Sequence, residues 1–443
     1  MAKRIAKNIH ELIEYWKEDL KFVIEEVDEY GSPLNWSLEK DDFKAIEIDF
    51  ELNLPFSNEV INSMEAEALQ NIGSLIFSNC VFKQKITIGH SDRNIEFNND
   101  CIIENVVRVW RYSGSLKFRD SNILSVNFED AIFGSEENTK KGKVRFHNCI
   151  VNEANFRNTT FNSLADFWNT TFIKPVIFYK TDFLETTVFS AAIFKENVLF
   201  TYTLLNSVSI FRGAKFEKGL DLSLAILKGD LNLFDLKVKY FNHSEPKSEN
   251  DYEQDVSENG NIPLKNKQET YRIIKKYYDG QSNNIRALDF KYLERSAQSK
   301  ALSNEFFRKE IGENEHWLYF LYSKLKAFTN QVIQVLNFLS NGHGKSYFVG
   351  FVFTFVIGCI FFSLSMLGTS KYTFDLFSGD IFIVDDNISH FLNFLNPTHK
   401  FDYLGDDFSE YTLGECFYIC DFLGRIFVGY GIYQTVQAFR KYR

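Results

Sequence analysis

The sequence predicts a mainly β solenoid, preceded by an N-terminal helix and followed by a helical hairpin and two C-terminal transmembrane helices. Three observations predict it. Large apolar residues, mostly Phe, recur at alternating steps of five and six through the middle of the chain; residues 346–367 carry no charge; and a polar, acidic stretch at 243–261 lies between the two regions. The chain has 443 residues, 47 of them Phe, with 45% hydrophobic and 24% charged residues. That excludes disorder, because disordered chains lack the aromatic residues needed to offset ordering entropy. A mean hydropathy of -0.22 excludes a protein lying mostly in lipid and leaves room for one or two spans.

At the N-terminus, Ile5, Ile9, Leu12, Ile13, Trp16, Leu20, Val23, Ile24 and Val27 fall on a helical stripe with acidic residues opposite, which predicts an amphipathic helix over residues 5–30. It belongs to an acidic segment, 1–74, with 7 Lys/Arg against 17 Asp/Glu, so the net charge of -10 is almost entirely N-terminal. No basic face suits phosphate backbones, and nucleic acid is not an expected partner. Charges run through MAKRIAKNIHELIEYWKEDL, unlike the apolar stretch of a cleaved secretory signal. A cytoplasmic N-terminus with reduced thiols is expected. The six Cys form no CxxC pair and have no His at zinc-finger spacing, so neither a metal nor a cofactor is expected.

Residues 75–238 carry the repeat. Phe156, Phe161, Phe167, Phe172, Phe178, Phe183, Phe189, Phe194, Phe200, Leu205, Phe211, Phe216, Leu222, Leu227 and Leu233 alternate steps of five and six. Two residues before most of them stands a small or β-branched residue, such as Ala154, Thr159, Ala165 or Thr170. On a helix a step of five turns ~140° and a step of six ~240°, so successive Phe would make no seam. On a straight strand they would point to opposite faces. A chain that turns a corner every five or six residues fits instead, with four sides making a coil of 22 residues and coils stacked ~4.8 Å apart. The units ANFRN, ADFWN and TDFLE resemble the pentapeptide-repeat family, which implies a right-handed quadrilateral β-helix with these Phe as its core. The extra residue on alternate sides departs from the strict unit, and KKGK at 140–143 suggests a loop at one corner.

Residues 239–264 read as an acidic linker. A helical hairpin follows at 265–312, with Gly280 as the stop between its arms, similar to the tetratricopeptide-like unit of membrane-attached pentapeptide-repeat proteins. Residues 313–345 read as a juxtamembrane amphipathic helix. Residues 346–443 form a two-span module: 346–367 is long enough to cross a bilayer, 412–439 is a weaker second span, and the loop 368–411 lies between them. That loop holds two Lys and eight acidic residues, while Lys324, Lys326 and Lys345 precede the first span and Arg440, Lys441 and Arg443 follow the second. The positive-inside rule puts both termini in the cytoplasm and the loop outside.

No enzymatic constellation emerges. NGHGKS at 341–346 imitates a phosphate-binding loop, but Leu339 stands where Gly is required, and neither HExxH nor GxSxG occurs. Polar groups in the second span need another reason. Asp421 and Arg425 are four apart and can pair on one helix face. They either snorkel near the outer interface or lie a third of the way in, where two helices per chain could not hide them without oligomerisation. In the loop, FLNFLNPTHKFD at 391–402 could form a short helix broken before Pro397, as a re-entrant segment would. The span, loop and span resemble two-span ion-channel modules, and GRIFVGYGIYQTVQAFRKYR resembles their end in bacterial pentapeptide-repeat channel proteins. No TVGYG-type filter is present, so potassium selectivity does not carry over. Pore or gating candidates are Glu415, Asp421, Arg425, Asn396, Pro397 and His399.

The expected function is an oligomeric channel or pore in a bacterial inner membrane, with the cytoplasmic solenoid as sensor or assembly platform awaiting a protein or ligand trigger. A conditionally opened defence effector is one variant. The alternative is a membrane-tethered interaction scaffold that does not conduct. DNA mimicry would need a strongly acidic rod, whereas residues 75–238 carry 20 Lys/Arg against 18 Asp/Glu.

Overall fold

The structure, a computed structural model, describes residues 4–19, 22–27, 33–38, 42–54, 74–238, 243, 252–308, 317–372, 384 and 387–440. It divides into two compact units, Met1–Ile273 and Ile274–Arg443.

The first unit is a parallel β solenoid. In its regular part each coil contributes four short strands, and each strand pairs in parallel with its counterpart one coil later. Thr171–Phe172 pairs with Ile193–Phe194 and then Lys215–Phe216, and Val176–Ile177 pairs with Val198–Leu199 and then Leu220–Asp221. The other two sides are Asp182–Phe183, Leu204–Leu205 and Ile226–Leu227, and Thr187–Val188, Ser209–Ile210 and Leu231–Asn232. Alternate corners share one conformation: Asn158, Asn169, Lys180, Ala191, Tyr202 and Gly213 recur every eleven residues with φ between 52° and 66°. Backbone bonds such as Thr159 N–H to Phe156 O (3.3 Å) and Ala192 N–H to Phe189 O (3.1 Å) close four-residue turns around them. This is type II turn geometry, which favours Gly or Asn at its third position. Lys180, Ala191 and Tyr202 carry a Cβ into the left-handed region at a cost of about 1 kcal/mol each.

The core consists of ring columns. Phe43, Phe77, Phe97, Phe118, Phe146, Phe167, Phe189 and Phe211 stack with centroids 4.7–5.6 Å apart, and Trp16 lies on Phe43 at 5.8 Å. Phe156, Phe178 and Phe200 form a second column, Phe133, Phe161 and Phe183 a third, and Phe172, Phe194 and Phe216 a fourth. The eleven ladder Phe between Phe156 and Phe216 are at most 2% exposed. The β-branched residue before them has its own task where it is Thr: Thr159 donates to Phe128 O (2.7 Å), Thr170 to Phe146 O (2.7 Å) and Thr181 to Phe156 O (2.6 Å). Thr181→Val keeps the shape and removes the donor, leaving a buried carbonyl with one partner fewer. The expected loss is about 1–2 kcal/mol, read as a lower midpoint in thermal unfolding of the full chain.

Two N-terminal expectations need correction. The helix is shorter than 5–30: Arg4–Ala6 is a strand, α1 spans Ile9–Asp19, and Phe22–Val27 pairs antiparallel with Pro33–Leu38. The β-branched Val23, Ile24 and Val27 disfavour continued helix. Residues 1–74 are also not a separate helical segment, because Asp42–Lys44, Ile46–Ile48 and Leu52–Leu54 already pair into the solenoid walls. The solenoid wall therefore begins well before residue 75, and Arg4–Ala6 already pairs in parallel with Ile46–Ile48. The apolar stripe of α1 faces the first coil, where Leu12, Ile13 and Trp16 are buried and Trp16 lies on Phe43. An uncovered coil end would expose strand edges and ring faces to a second chain.

The other end is capped as well, which corrects the linker. Residues 239–242 and 244–251 lie outside the described set, but α2 (Tyr252–Ser257) follows, and Val256, Ile262 and Leu264 are buried. Asn197 donates to Gly260 O at 3.0 Å. The first turns of α3 (Leu264–Gly280) bring Asn266 to Asp221 at 2.8 Å and Thr270 to Asp221 at 3.3 Å. The polar composition of 243–261 had masked these few apolar anchors.

In the second unit, the end of α3 packs on α4 (Asn284–Arg308) through Tyr278 on Phe290 (5.6 Å) and the Lys275–Glu294 ion pair (2.6 Å). Helix α5 (Trp317–Asn341) leaves Trp317, Leu321, Leu325, Phe328, Val332, Val335 and Leu339 exposed along one stripe. Helices α6 (Tyr347–Leu367) and α8 (Glu415–Phe439) are long and apolar enough to cross a membrane. They pack closely because small residues face each other: a Cβ on Gly431 would collide with Thr354, and one on Gly350 would lie 2.6 Å from Thr435 Oγ1. Between them stands the short α7 (Ile388–Phe394).

The cysteines differ sharply in access. Cys80, Cys101 and Cys149 are buried in the solenoid, where burial pushes the Cys149 thiol up to about 12. Cys416, at the loop end of α8, is exposed. Maleimide labelling of the native protein followed by mass spectrometry is expected to modify Cys416 and spare those three until denaturant is added, because only an accessible thiolate reacts quickly.

Candidate functional site

The segment between α6 and α8 folds back into the helix pair. Phe391 packs edge-on against Phe355 and Phe362, both at 5.5 Å. Phe391, Phe394, Leu404 and Phe408 join Phe362, Met366, Phe417 and Val428 in one apolar cluster. Helix α7 ends just before Pro397, as expected for a residue pair that leaves the α region. The chain then reaches its deepest point. A Cβ on Gly429 would meet Pro397 Cβ at 3.7 Å, and Gly429 lies fourteen residues, roughly 21 Å at 1.5 Å per residue, along α8 from its loop end. The non-helical tip therefore sits past the middle of α8.

Asp421 anchors this segment. It is 0% exposed within a single chain, so the returning loop hides it without the oligomerisation expected from the sequence, and it accepts from Arg425 Nε at 2.8 Å. Its other oxygen lies 2.9 Å from His399 Nε2, so the structure adds His399 to the pair that the sequence placed on one helix face. The second ring nitrogen, Nδ1, lies 2.7 Å from Asn396 O. A carbonyl only accepts, so Nδ1 is the donor to it. Aromatic rings close the cluster: Arg425 lies over Phe401 at 4.0 Å and His399 packs edge-on against Tyr403 at 4.5 Å. The Tyr403 hydroxyl is buried and has no hydrogen-bond partner among the described residues; burial, then the Asp421 carboxylate, push its pKa up.

The six candidates therefore separate. Asp421, Arg425 and His399 share one cluster. Asn396 supplies its backbone oxygen to His399 while its side chain accepts from Thr398 (2.7 Å), and Pro397 forms the tip against α8. Glu415 stands exposed in the first turn of α8, outside the cluster. Sequence reasoning missed Phe401 and Tyr403, although Tyr403 follows His399 by four residues. It also missed a polar layer at the other end of α8, where Tyr430 donates to Asn337 at 2.9 Å and Asn341 bonds Gln434. Among the described residues no group of three or more His, Cys, Asp or Glu could hold a metal ion.

Comparison with known proteins bears on the solenoid. Residues 141–182 match a family model described as Pentapeptide repeats (9 copies). The chain contains pentapeptide repeats. The matched stretch covers two turns of the wall in which the Phe columns are most regular, and its start coincides with Lys141 at the base of the corner loop. No curated protein and no solved structure matches the chain. The pentapeptide-repeat solenoid is thus identified by its own wall, and the helix pair stands on its geometry.

Proposed function

We propose that this is an integral membrane protein in which several copies of the α6–α7–α8 module assemble an ion-conducting pore, with the pentapeptide-repeat solenoid as a sensing or assembly platform. The re-entrant tip carries this reading. In a single chain Asn396, Thr398 and Lys400 are exposed beside a segment that reaches mid-helix. Non-helical polar backbone at such a depth is tolerated only against protein or along a water-filled path, so further copies or a pore must cover it. The basic residues flanking the two helices favour both termini in the cytoplasm, in a bacterial inner membrane. Controlled opening by a cytoplasmic ligand or protein would make a defence effector of such a pore.

Reconstitution of the full chain into planar bilayers tests the reading. Discrete currents that change with Asp421→Leu/Arg425→Leu are expected; a monomer in detergent that is silent across ligands and voltages would sink it. A second reading, a tethered scaffold without conduction, draws on the solenoid corners. There Trp168, Tyr202 and Phe234 are 45%, 42% and 63% exposed, and Arg212 lies over Phe234 at 5.7 Å, a composition suited to protein interfaces. A scaffold keeps its partner in the Asp421→Leu/Arg425→Leu variant.

A further inference from the structure

The second unit holds a cavity of about 410 Å³ between the helical hairpin and the end of α8, lined by Lys275, Asp279, Asn284, Leu288, Lys291 and Arg440. Lys275 is neutralised by Glu294 at 2.6 Å. Lys291 and Arg440 have no carboxylate partner among the described residues, and they come from different elements, one within α4 and one just past α8. Lys291 is only partly exposed; burial, then Arg295 and Lys275, hold its pKa below the usual lysine value against the smaller opposing pull of Glu294 and Asp279. The surplus positive potential also reaches His343, whose pKa is lowered by burial and then by Arg295 and Lys291. The first turn of α4, at Asn284, adds amide groups with the same preference for an anion.

We propose that this cavity binds the phosphate group of an anionic ligand. A phosphate oxygen between Lys291 and Arg440 would offset cations that outnumber Asp279, the one carboxylate in the cavity lining, and it would tie α4 to the end of α8. Two sources share this chemistry. Arg440 follows a helix long enough to cross a membrane, so on the membrane reading above the cavity lies at headgroup depth, where anionic lipid is abundant. A soluble nucleotide is the other source. Phosphate binding itself does not depend on conduction.

The test uses the purified full chain in detergent, with bound species read by native mass spectrometry. The probes are phosphatidylglycerol, phosphatidylcholine as the zwitterionic control, ATP and inorganic phosphate. Wild type is expected to retain phosphatidylglycerol or ATP over phosphatidylcholine. Lys291→Gln/Arg440→Gln should lose roughly tenfold or more of that preference. Lys291→Arg/Arg440→Lys, which keeps the charge, should retain it and so separates lost binding from lost folding. Lys345→Gln, on a residue already paired with Asp289 at 3.0 Å, should change little. Retention of the lipid alone identifies a headgroup site, and retention of ATP or phosphate alone a soluble one. Equal retention of phosphatidylcholine, or a preference untouched by the Gln pair, overturns the proposal. A protein that binds phosphate yet carries no current overturns the pore and leaves this site standing.

Discussion

Asp421→Asn is expected to destabilise the helix pair by about 3–5 kcal/mol, the cost of leaving a buried charge without its counter-ion. The Arg425 guanidinium, now 2.8 Å from Asp421, would face a neutral amide, whose single oxygen cannot serve both Arg425 and His399. Asp421→Leu/Arg425→Leu should be much milder, because replacing a whole buried ion pair by apolar side chains is often neutral or stabilising. Thermal unfolding in detergent measures both, and the coupling between them follows from the double-mutant cycle. If the single and double variants lose equal stability, the pair is not a unit. Current recordings add a separate axis: on the pore reading the double variant regains stability without regaining the native current.

Phe178→Ala should cost the solenoid about 3–5 kcal/mol, the range for emptying a Phe-sized site in a packed core. Its ring stacks on Phe156 at 5.1 Å and Phe200 at 4.9 Å and meets Phe183 and Phe189 edge-on at 5.6 and 5.7 Å. Because coils touch only their neighbours, the wall cannot close around the gap without shifting strands above and below. Trp168→Ala removes a larger ring from a corner that is 45% exposed, and should stay within about 0.5 kcal/mol. A shift of comparable size in the two variants, read from thermal unfolding of the full chain, would mean that the columns do not carry the stability.

These contrasts show which parts of the molecule were legible from sequence. The run from Phe156 to Phe216 could be read because each side of the coil needs one large inward residue at a fixed step, so geometry writes itself as a rhythm. Asp421 and Arg425 were legible because four residues on a helix are neighbours. His399 was not legible as their partner: 22 positions separate it from Asp421 in a region without repeat, and only the return of the loop brings them together. The start of the solenoid was hidden for a related reason. Phe43 pairs with Phe77, 34 residues later, so the first coil lacks the rhythm of its successors. Trp16 announces itself as one residue of an amphipathic helix, and nothing local says that its ring completes a column.

The left-handed residue at every second corner has a consequence for how this chain can change length. From Asn158 to Gly213 these left-handed corners recur every eleven residues and each wall every twenty-two, so this part of the solenoid has something like a reading frame. An added stretch of one whole coil keeps every later ring in its column, while an addition of any other length must be expelled before the next corner or it throws all later side chains out of phase. A longer coil shows how this is done: Phe118 pairs with Phe146, 28 residues on, and the surplus leaves the wall at the corner near residues 134–143, with Gly134 and Gly142 in the left-handed region. Downstream of that detour the frame is restored, which makes the corners, more than the Phe, the punctuation that inherited insertions have to respect.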